Sequence, residues 1–245
     1  MHLEMLELGS KWFMHNKFWH NNPDVLIVGD ARESLGEARG RVTLLALTGG
    51  VVFLGDRMPE LEKQPERLKL CSLVLPSSGQ PARPIDLFRA VDKERDYPRL
   101  WHLHAVRPWG QWEVLGVFNW SDTPLTEAIS RRDLGLTAGD YLVWDFWQQQ
   151  LLGPLAADLQ VAVEPGNVRC LRLMPRPEHP AVLATDMHVT QGLVELDRVA
   201  WDARTLELSG QARRAPGEQG AVFIYLPPGY ALKQGRSATL VAPDC

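Results

Sequence analysis

The segment from Trp19 to Asp24 combines an indole, amide side chains and a carboxylate within a few residues. An indole ring can stack on the apolar face of a sugar, and Asn and Asp side chains hydrogen-bond to hydroxyls. Because the residue before Pro23 favours extended backbone, we expect a strand to end near Asn22. The cluster would then lie at the C-terminal end of a βα strand, the side that holds the active site in barrel enzymes. The alternative is an Asx-type turn that leaves the strand, with Trp19 in the core.

Weaker candidates lie further along the chain. Asp30 and Asp56 each follow a glycine at a possible strand end, and Asp56 either contacts the same pocket or caps the next helix. His102 and His104 share one face of a predicted strand, but no nearby carboxylate or thiol completes a ligand set, so we predict no metal and no cofactor.

Residues 1–90 have the pattern of an α/β fold. Ser34 and Glu37 have the spacing of a capping box, and Gly49 can end the helix that starts there. The apolar run 51–54 follows at once and predicts a strand buried on both faces, and Pro65 suits the first turn of another helix. The order strand, helix, strand, helix indicates two βα units, too few to close a (β/α)8 barrel.

The rest of the chain is rich in short β-type runs separated by Gly and Pro. Residues 91–178 predict an antiparallel β-sandwich, with the charged stretch 89–99 as its connection to the first part. Residues 179–245 predict either a further β-rich module or additional strands of the sandwich. Strands are expected at 101–106, 112–120, 141–147, 160–173, 193–196, 206–208 and 221–226.

Composition excludes several classes of function. The 245 residues carry a formal net charge of −4 with both signs interspersed, which gives no basic stripe for nucleic acid. No apolar run approaches the roughly 20 residues that a membrane-spanning helix needs, and the acidic start does not resemble a signal peptide, so we expect a soluble chain. Three widely spaced cysteines support neither a disulfide framework nor a Cys-x-x-Cys site.

Several segments, taken in order, resemble the alpha-galactosidase (melibiase) clan of glycoside hydrolases. Residues 18–26 are similar to the W-x-N-D-P-D-x-L element near the seventh strand of that clan's barrel. The helix, Gly-Gly turn, strand and Asp of residues 44–56 fit the elements that follow, and 65–75 is similar to the final barrel helix. Residues 114–122 and 141–147 resemble strands of the clan's β-sandwich, and 188–192 is similar to a segment of bacterial relatives.

The resemblance implies that this chain is the C-terminal portion of a retaining enzyme that hydrolyses terminal alpha-galactosides. It implies the last two βα units of a (β/α)8 barrel followed by the sandwich, with Asp24 as a contact in the sugar pocket and Trp19 and Asn22 behind it. Asn22 departs from the clan's pattern, which has Asp there, so this position keeps a hydrogen-bonding side chain but lacks the charge. The clan's nucleophile and acid/base belong near the fourth and sixth strands, upstream of Met1, so no catalytic residue is assigned here.

Two other functions remain open from the sequence. Six of the nine tryptophans fall between Trp101 and Trp147, which suits either a non-catalytic carbohydrate-binding sandwich or an indole-filled core. An independent small enzyme would need Asp24 and Asp56 to form a carboxylate pair a few ångströms apart in one cleft. The oligomeric state cannot be derived from the sequence.

Overall fold

The structure, a computed structural model, describes residues 2–29, 32–89, 97–155 and 157–232. The predicted connection at 89–99 and the end of the last module lie largely outside these residues, as does Asp30. No described helix has both the length and the apolar composition needed to cross a membrane.

The described helices all lie in the first third of the chain. They are α1 (His2–Lys11), a 3-10 turn (Trp12–Met14), α2 (Leu35–Thr48), α3 (Met58–Leu61) and α4 (Pro65–Ser72). Helix α2 begins at the predicted capping box, in which Ser34 Oγ accepts from Glu37 N–H and the Glu37 carboxylate accepts from Ser34 N–H. It ends at Gly49 with a φ of 64°, as predicted from the glycine pair.

Two very short strands lie beside these helices. Strands β1 (Val25–Leu26) and β2 (Phe53–Leu54) pair in parallel, with Val25 aligned with Phe53. The order strand, helix, strand, helix is therefore confirmed, whereas no closed barrel forms among the described residues. The expected burial of 51–54 on both faces is wrong: Phe53 and Leu54 are 52% and 39% exposed. Among the described residues this sheet has only two strands, and both side chains remain partly exposed.

The remaining strands form antiparallel sheets, as the sequence predicts. They are β3 (Arg83–Pro84), β4 (Leu100–Arg107), β5 (Gly110–Asn119), β6 (Leu125–Ile129), β7 (Tyr141–Asp145), β8 (Gln150–Leu155), β9 (Leu159–Val163), β10 (Asn167–Pro175), β11 (Ala181–Thr185), β12 (Leu196–Asp202), β13 (Glu207–Ala212) and β14 (Val222–Tyr225). Six of them make one sheet in the order β3-β4-β5-β10-β7-β8, while β6 pairs with β9, β11 with β14, and β12 with β13.

Two of the sequence-predicted strands differ most from the observed ones. The run 160–173 is two strands, because Gly166 turns the chain between β9 and β10 with a φ of 58°. Residues 193–195 form a turn that precedes β12, because the buried Glu195 carboxylate accepts from the Gly192 and Val194 N–H groups and bends the backbone.

The six-stranded sheet has an apolar core on each side. One core lies under β6 and β9 and includes Leu115, Val161 and Leu171. The other is larger and joins α2, the opposite side of the sheet and the last module, through residues such as Leu47, Trp112 and Leu183. Helix α2 therefore packs directly on β10, and the boundaries at 90 and 178 remain predictions.

Candidate functional site

Strand β1 begins after the Trp19–Asp24 cluster rather than before it. No strand forms at 18–22; the main chain turns at 16–18, where Asn16 N–H donates to Trp19 O. Asp24 has a φ of 62°, and strand pairing starts only at Val25. The predicted placement at the C-terminal end of a strand is therefore wrong, because the positive φ at Asp24 interrupts the extended backbone before the sheet begins.

The cluster itself is an exposed turn in which Asn21 is buried. Asn22 Oδ1 accepts from Asp24 N–H at 3.0 Å, which is the geometry of an Asx turn. Trp19 donates through Nε1 to Asn21 Oδ1 at 2.9 Å, and buried Asn21 N–H donates to His15 Nδ1 at 3.0 Å. The Trp19 side chain remains 51% exposed, and Asn22 and Asp24 are exposed as well. The turn thus presents an indole, an amide and a carboxylate to solvent.

Asp56 lies at the opposite end of the two strands. Its carboxylate accepts hydrogen bonds from Val28 N–H at 2.8 Å and from Gly29 N–H at 2.9 Å. These bonds connect the segment that follows β1 with the segment that follows β2. Asp56 does not cap α3, whose N-cap is Arg57. Since Val25 aligns with Phe53, Asp24 and Asp56 are about four residues apart along the strands, or roughly 13 Å. They do not form the carboxylate pair that an independent enzyme would need, which sits roughly 5 Å apart in retaining glycosidases.

Arg67 of α4 donates hydrogen bonds to the backbone at the same C-terminal end of the sheet. The sequence did not predict this contact. Its guanidinium donates to Val28 O and to Glu33 O, on both sides of the undescribed residues 30 and 31. The Glu33 carboxylate in turn pairs with Arg41 of α2. An arginine on a helix carries no sequence signal for such a contact, because its partners are backbone carbonyls more than 30 residues away.

A shallow depression lies between α1, β1 and α2. It is lined by Glu4, Pro23, Val25, Leu26, Arg41, Leu44 and Leu45 and has a cavity volume of only about 10 Å³. Burial raises the pKa of the Glu4 carboxyl. The volume falls below the roughly 300–1,000 Å³ of ordinary ligand pockets. It does not enclose a ligand in this chain.

The tryptophan-rich region packs inward rather than forming a surface platform. Trp101, Trp112 and Trp144 are buried, and Trp109, Trp120 and Trp147 lie partly buried against the larger core. Trp112 stacks on Trp109 and lies 4.2 Å from the guanidinium carbon of buried Arg172. These six indoles therefore contribute to the core of the protein.

The two histidines of β4 have a carboxylate partner that the sequence analysis missed. His102 Nε2 lies 2.7 Å from Glu113 Oε2, and His104 Nδ1 lies 2.8 Å from Glu113 Oε1. Glu113 comes from β5 and is aligned with His104 across the pair. Even when Glu113 is included, no group of three or more His, Cys, Asp or Glu side chains in the described residues is arranged to hold a metal ion.

The described thiols are not activated nucleophiles. Cys71 and Cys170 are both buried. Burial raises the pKa of Cys71 to about 11 and raises that of Cys170 as well. Both are therefore thiols rather than thiolates near neutral pH.

Comparison with known proteins gives similarity at the level of fold. No protein-family model and no curated protein sequence matches the chain. A GH27 β-L-arabinopyranosidase from Geobacillus stearothermophilus, solved with arabinose, has a similar fold. The match covers 72% of this chain and 42% of the arabinopyranosidase chain, with 17% sequence identity and a TM-score of 0.57. An α-galactosidase from Saccharomyces cerevisiae matches 71% of this chain and 51% of its own at 13% identity and a TM-score of 0.55.

A third solved structure agrees with these two. α-Galactosidase I from Mortierella vinacea matches 69% of this chain and 43% of its own at 18% identity, with a TM-score of 0.52. The described fold is therefore shared with part of several glycoside hydrolases. The chain spans only about half the length of the solved structures it matches.

Proposed function

We propose that this chain is the C-terminal part of a retaining glycoside hydrolase that acts on terminal α-galactosides or closely related sugars. The observation that supports this most is the succession of a helix-flanked parallel strand pair and an antiparallel sandwich, which aligns over about 70% of the chain with α-galactosidases. In this proposal β1 and β2, with α2 and α4, are the last two βα units of a (β/α)8 barrel.

Within that barrel, substrate would lie at the C-terminal ends of the strands. Asp56 occupies that end here, together with the Val28–Gly29 backbone that its carboxylate binds. Asp56 is therefore the best placed of the four proposed sugar contacts. Trp19, Asn22 and Asp24 precede β1, and they would reach a sugar only from the other end of the sheet or by stacking at the rim.

The catalytic carboxylates are proposed to lie in polypeptide outside this chain. A retaining mechanism needs a nucleophile and an acid/base roughly 5 Å apart. Asp24 and Asp56 are too far apart, and both Asp56 carboxylate oxygens already accept backbone hydrogen bonds. The chain on its own should bind sugar weakly at most and should not hydrolyse it.

The test is hydrolysis of p-nitrophenyl α-galactopyranoside by the purified 245-residue chain. We expect no turnover above the buffer rate. Turnover by the chain alone that disappears in Asp24→Ala or Asp56→Ala would show that the catalytic pair lies within it. The full open reading frame should cleave the same substrate, and its failure to act on any glycoside would contradict the proposed function.

A further inference from the structure

A side chain takes the place of a partner strand just beyond β1. Gly55 N–H donates to Leu26 O at 2.8 Å, which is main-chain pairing between the two segments. The next amides along the chain, Val28 N–H and Gly29 N–H, instead donate to the Asp56 carboxylate at 2.8 and 2.9 Å. Each carboxylate oxygen serves a different amide, so both torsion angles of the Asp56 side chain are fixed.

The carbonyl side of the same backbone is held as well. Arg67 of α4 donates to Val28 O, and Gln64 Nε2 lies 3.5 Å from Gly29 O. Val28 O and Gly29 N–H belong to one planar peptide unit, so Arg67 and Asp56 hold that unit from opposite sides. We call the side chains of Asp56, Gln64 and Arg67 the strand-end clamp.

The strand-end clamp depends on the absence of a side chain at position 29. A Cβ there would lie 2.7 Å from Asp56 Oδ1 and 3.2 Å from Leu61 Cδ1. Leu61 is buried, so an added methyl group would displace the Asp56 carboxylate rather than Leu61. The φ of Gly29 lies outside the left-handed region, so the close approach of Asp56, and not the backbone conformation, requires glycine here.

The clamped carboxylate can still accept further hydrogen bonds. A carboxylate has about four lone-pair sites, and the two backbone amides occupy two of them. Asp56 is partly exposed, and it lies at the strand end where substrate lies in a barrel. A side chain that is fixed before a ligand arrives loses little freedom on binding, which favours affinity.

We propose that Arg67 and Gly29 position Asp56 as a fixed acceptor for a hydroxyl group of the sugar. This role rests on the proposed function. Arg67 acts through the Val28 backbone and is a positioning residue rather than a sugar contact. Gly29 acts by leaving room for the carboxylate.

The experiment is steady-state hydrolysis of p-nitrophenyl α-galactopyranoside by the complete open reading frame. Gly29→Ala and Arg67→Ala should each raise KM about 10-fold, because Asp56 must then be ordered when the sugar binds. The kcat should stay within about 2-fold of wild type, since the lost contact is made equally before and during the reaction. Arg67→Lys, whose ammonium is a single point donor, should give a KM between those of wild type and Arg67→Ala.

Two matched controls separate the clamp from general effects of substitution. Gly110→Ala places a Cβ where nothing lies within 4 Å, also at a glycine whose φ is outside the left-handed region. Arg204→Ala removes an arginine whose side chain is 93% exposed. Both should leave KM unchanged. Circular dichroism melting of each variant establishes that the kinetic assays are run on folded protein.

Hydrogen exchange of the 245-residue chain tests the clamp without any activity. The Val28 and Gly29 amides should exchange about 10-fold faster in Gly29→Ala than in Gly110→Ala. Equal exchange in the two variants, an equal KM, or a fall in kcat at unchanged KM would each overturn the positioning role. An open reading frame that cleaves no glycoside would overturn the proposed function itself, whereas an active one whose KM is insensitive to Gly29→Ala overturns the positioning role alone.

Discussion

His188 makes the stability of this protein sensitive to mild acid. Its side chain is fully buried, and Nδ1 accepts a hydrogen bond from Thr190 N–H at 3.1 Å. Burial, which is the main cause, lowers the pKa of His188 from 6.5 to about 4, and the nearby Arg214 guanidinium acts in the same direction. Folding therefore requires the neutral imidazole.

The sign and size of the effect follow from proton linkage. Between pH 6.5 and 4 the unfolded chain binds a proton at His188 that the folded chain does not, so the free energy of unfolding falls as the pH falls through this window. Lowering the pH from 7 to 5 should cost about 2 kcal/mol at this residue. His188 is next to Val189, whose N–H donates to Leu73 O at the end of α4. Acid should therefore loosen the last module from the α/β part.

The comparison variant is His188→Asn, whose Oδ1 can accept from Thr190 N–H but does not titrate. Urea denaturation followed by tryptophan fluorescence gives the free energy of unfolding at pH 7, 6 and 5 for both proteins. We expect wild type to lose about 2 kcal/mol more than His188→Asn over this range. Burial also lowers the pKa of His15, but that residue is common to both proteins and cancels. Equal losses in the two proteins would refute the assignment to His188.

Two further predictions concern the ends of α2. Ser34→Ala removes the capping hydrogen bond that Glu37 N–H donates to Ser34 Oγ. We expect the free energy of unfolding, measured by urea titration, to fall by about 1 kcal/mol. No measurable loss would mean that the capping box does not stabilise the helix. Gly49→Ala should cost more than Gly135→Ala in the same assay. Both glycines have a φ near 65°, but a Cβ at Gly49 would lie 2.5 Å from the Gln80 backbone, whereas at Gly135 it would meet nothing within 4 Å. Equal losses would show that the backbone collision is relieved at little cost.

Sequence reasoning succeeded where the signal and the structure are close together in the chain. The capping box of Ser34 and Glu37 spans one helical turn, and Gly49 acts on the residues beside it. The short β-type runs bounded by Gly and Pro located most of the antiparallel strands for the same reason. Side-chain capping and turn formation depend on neighbours within about four residues, so a single sequence contains what is needed.

Sequence reasoning failed where a residue's role depends on a partner that is distant along the chain. Whether Phe53 is buried depends on what else covers the sheet, and the environment of His102 depends on Glu113 across a strand pair. Asp56 was expected either to cap a helix or to contact a ligand, yet its carboxylate binds backbone N–H groups of residues 28 and 29. Those partners are 27 and 28 positions away and carry no side-chain signal.

The sequence by itself predicted the alternation of strands and helices in the first part and the antiparallel sheets that follow, and several of its segments resemble one clan of glycoside hydrolases. Only the tertiary structure decided that Trp19–Asp24 precedes β1, which places Asp24 and Asp56 at opposite ends of the sheet. The reason is that the start of a strand is fixed by pairing, and the pairing of Val25 with Phe53 joins parts of the chain 28 residues apart. Local preference at Asn22 and Pro23 indicated extended backbone, and the sheet began two residues later.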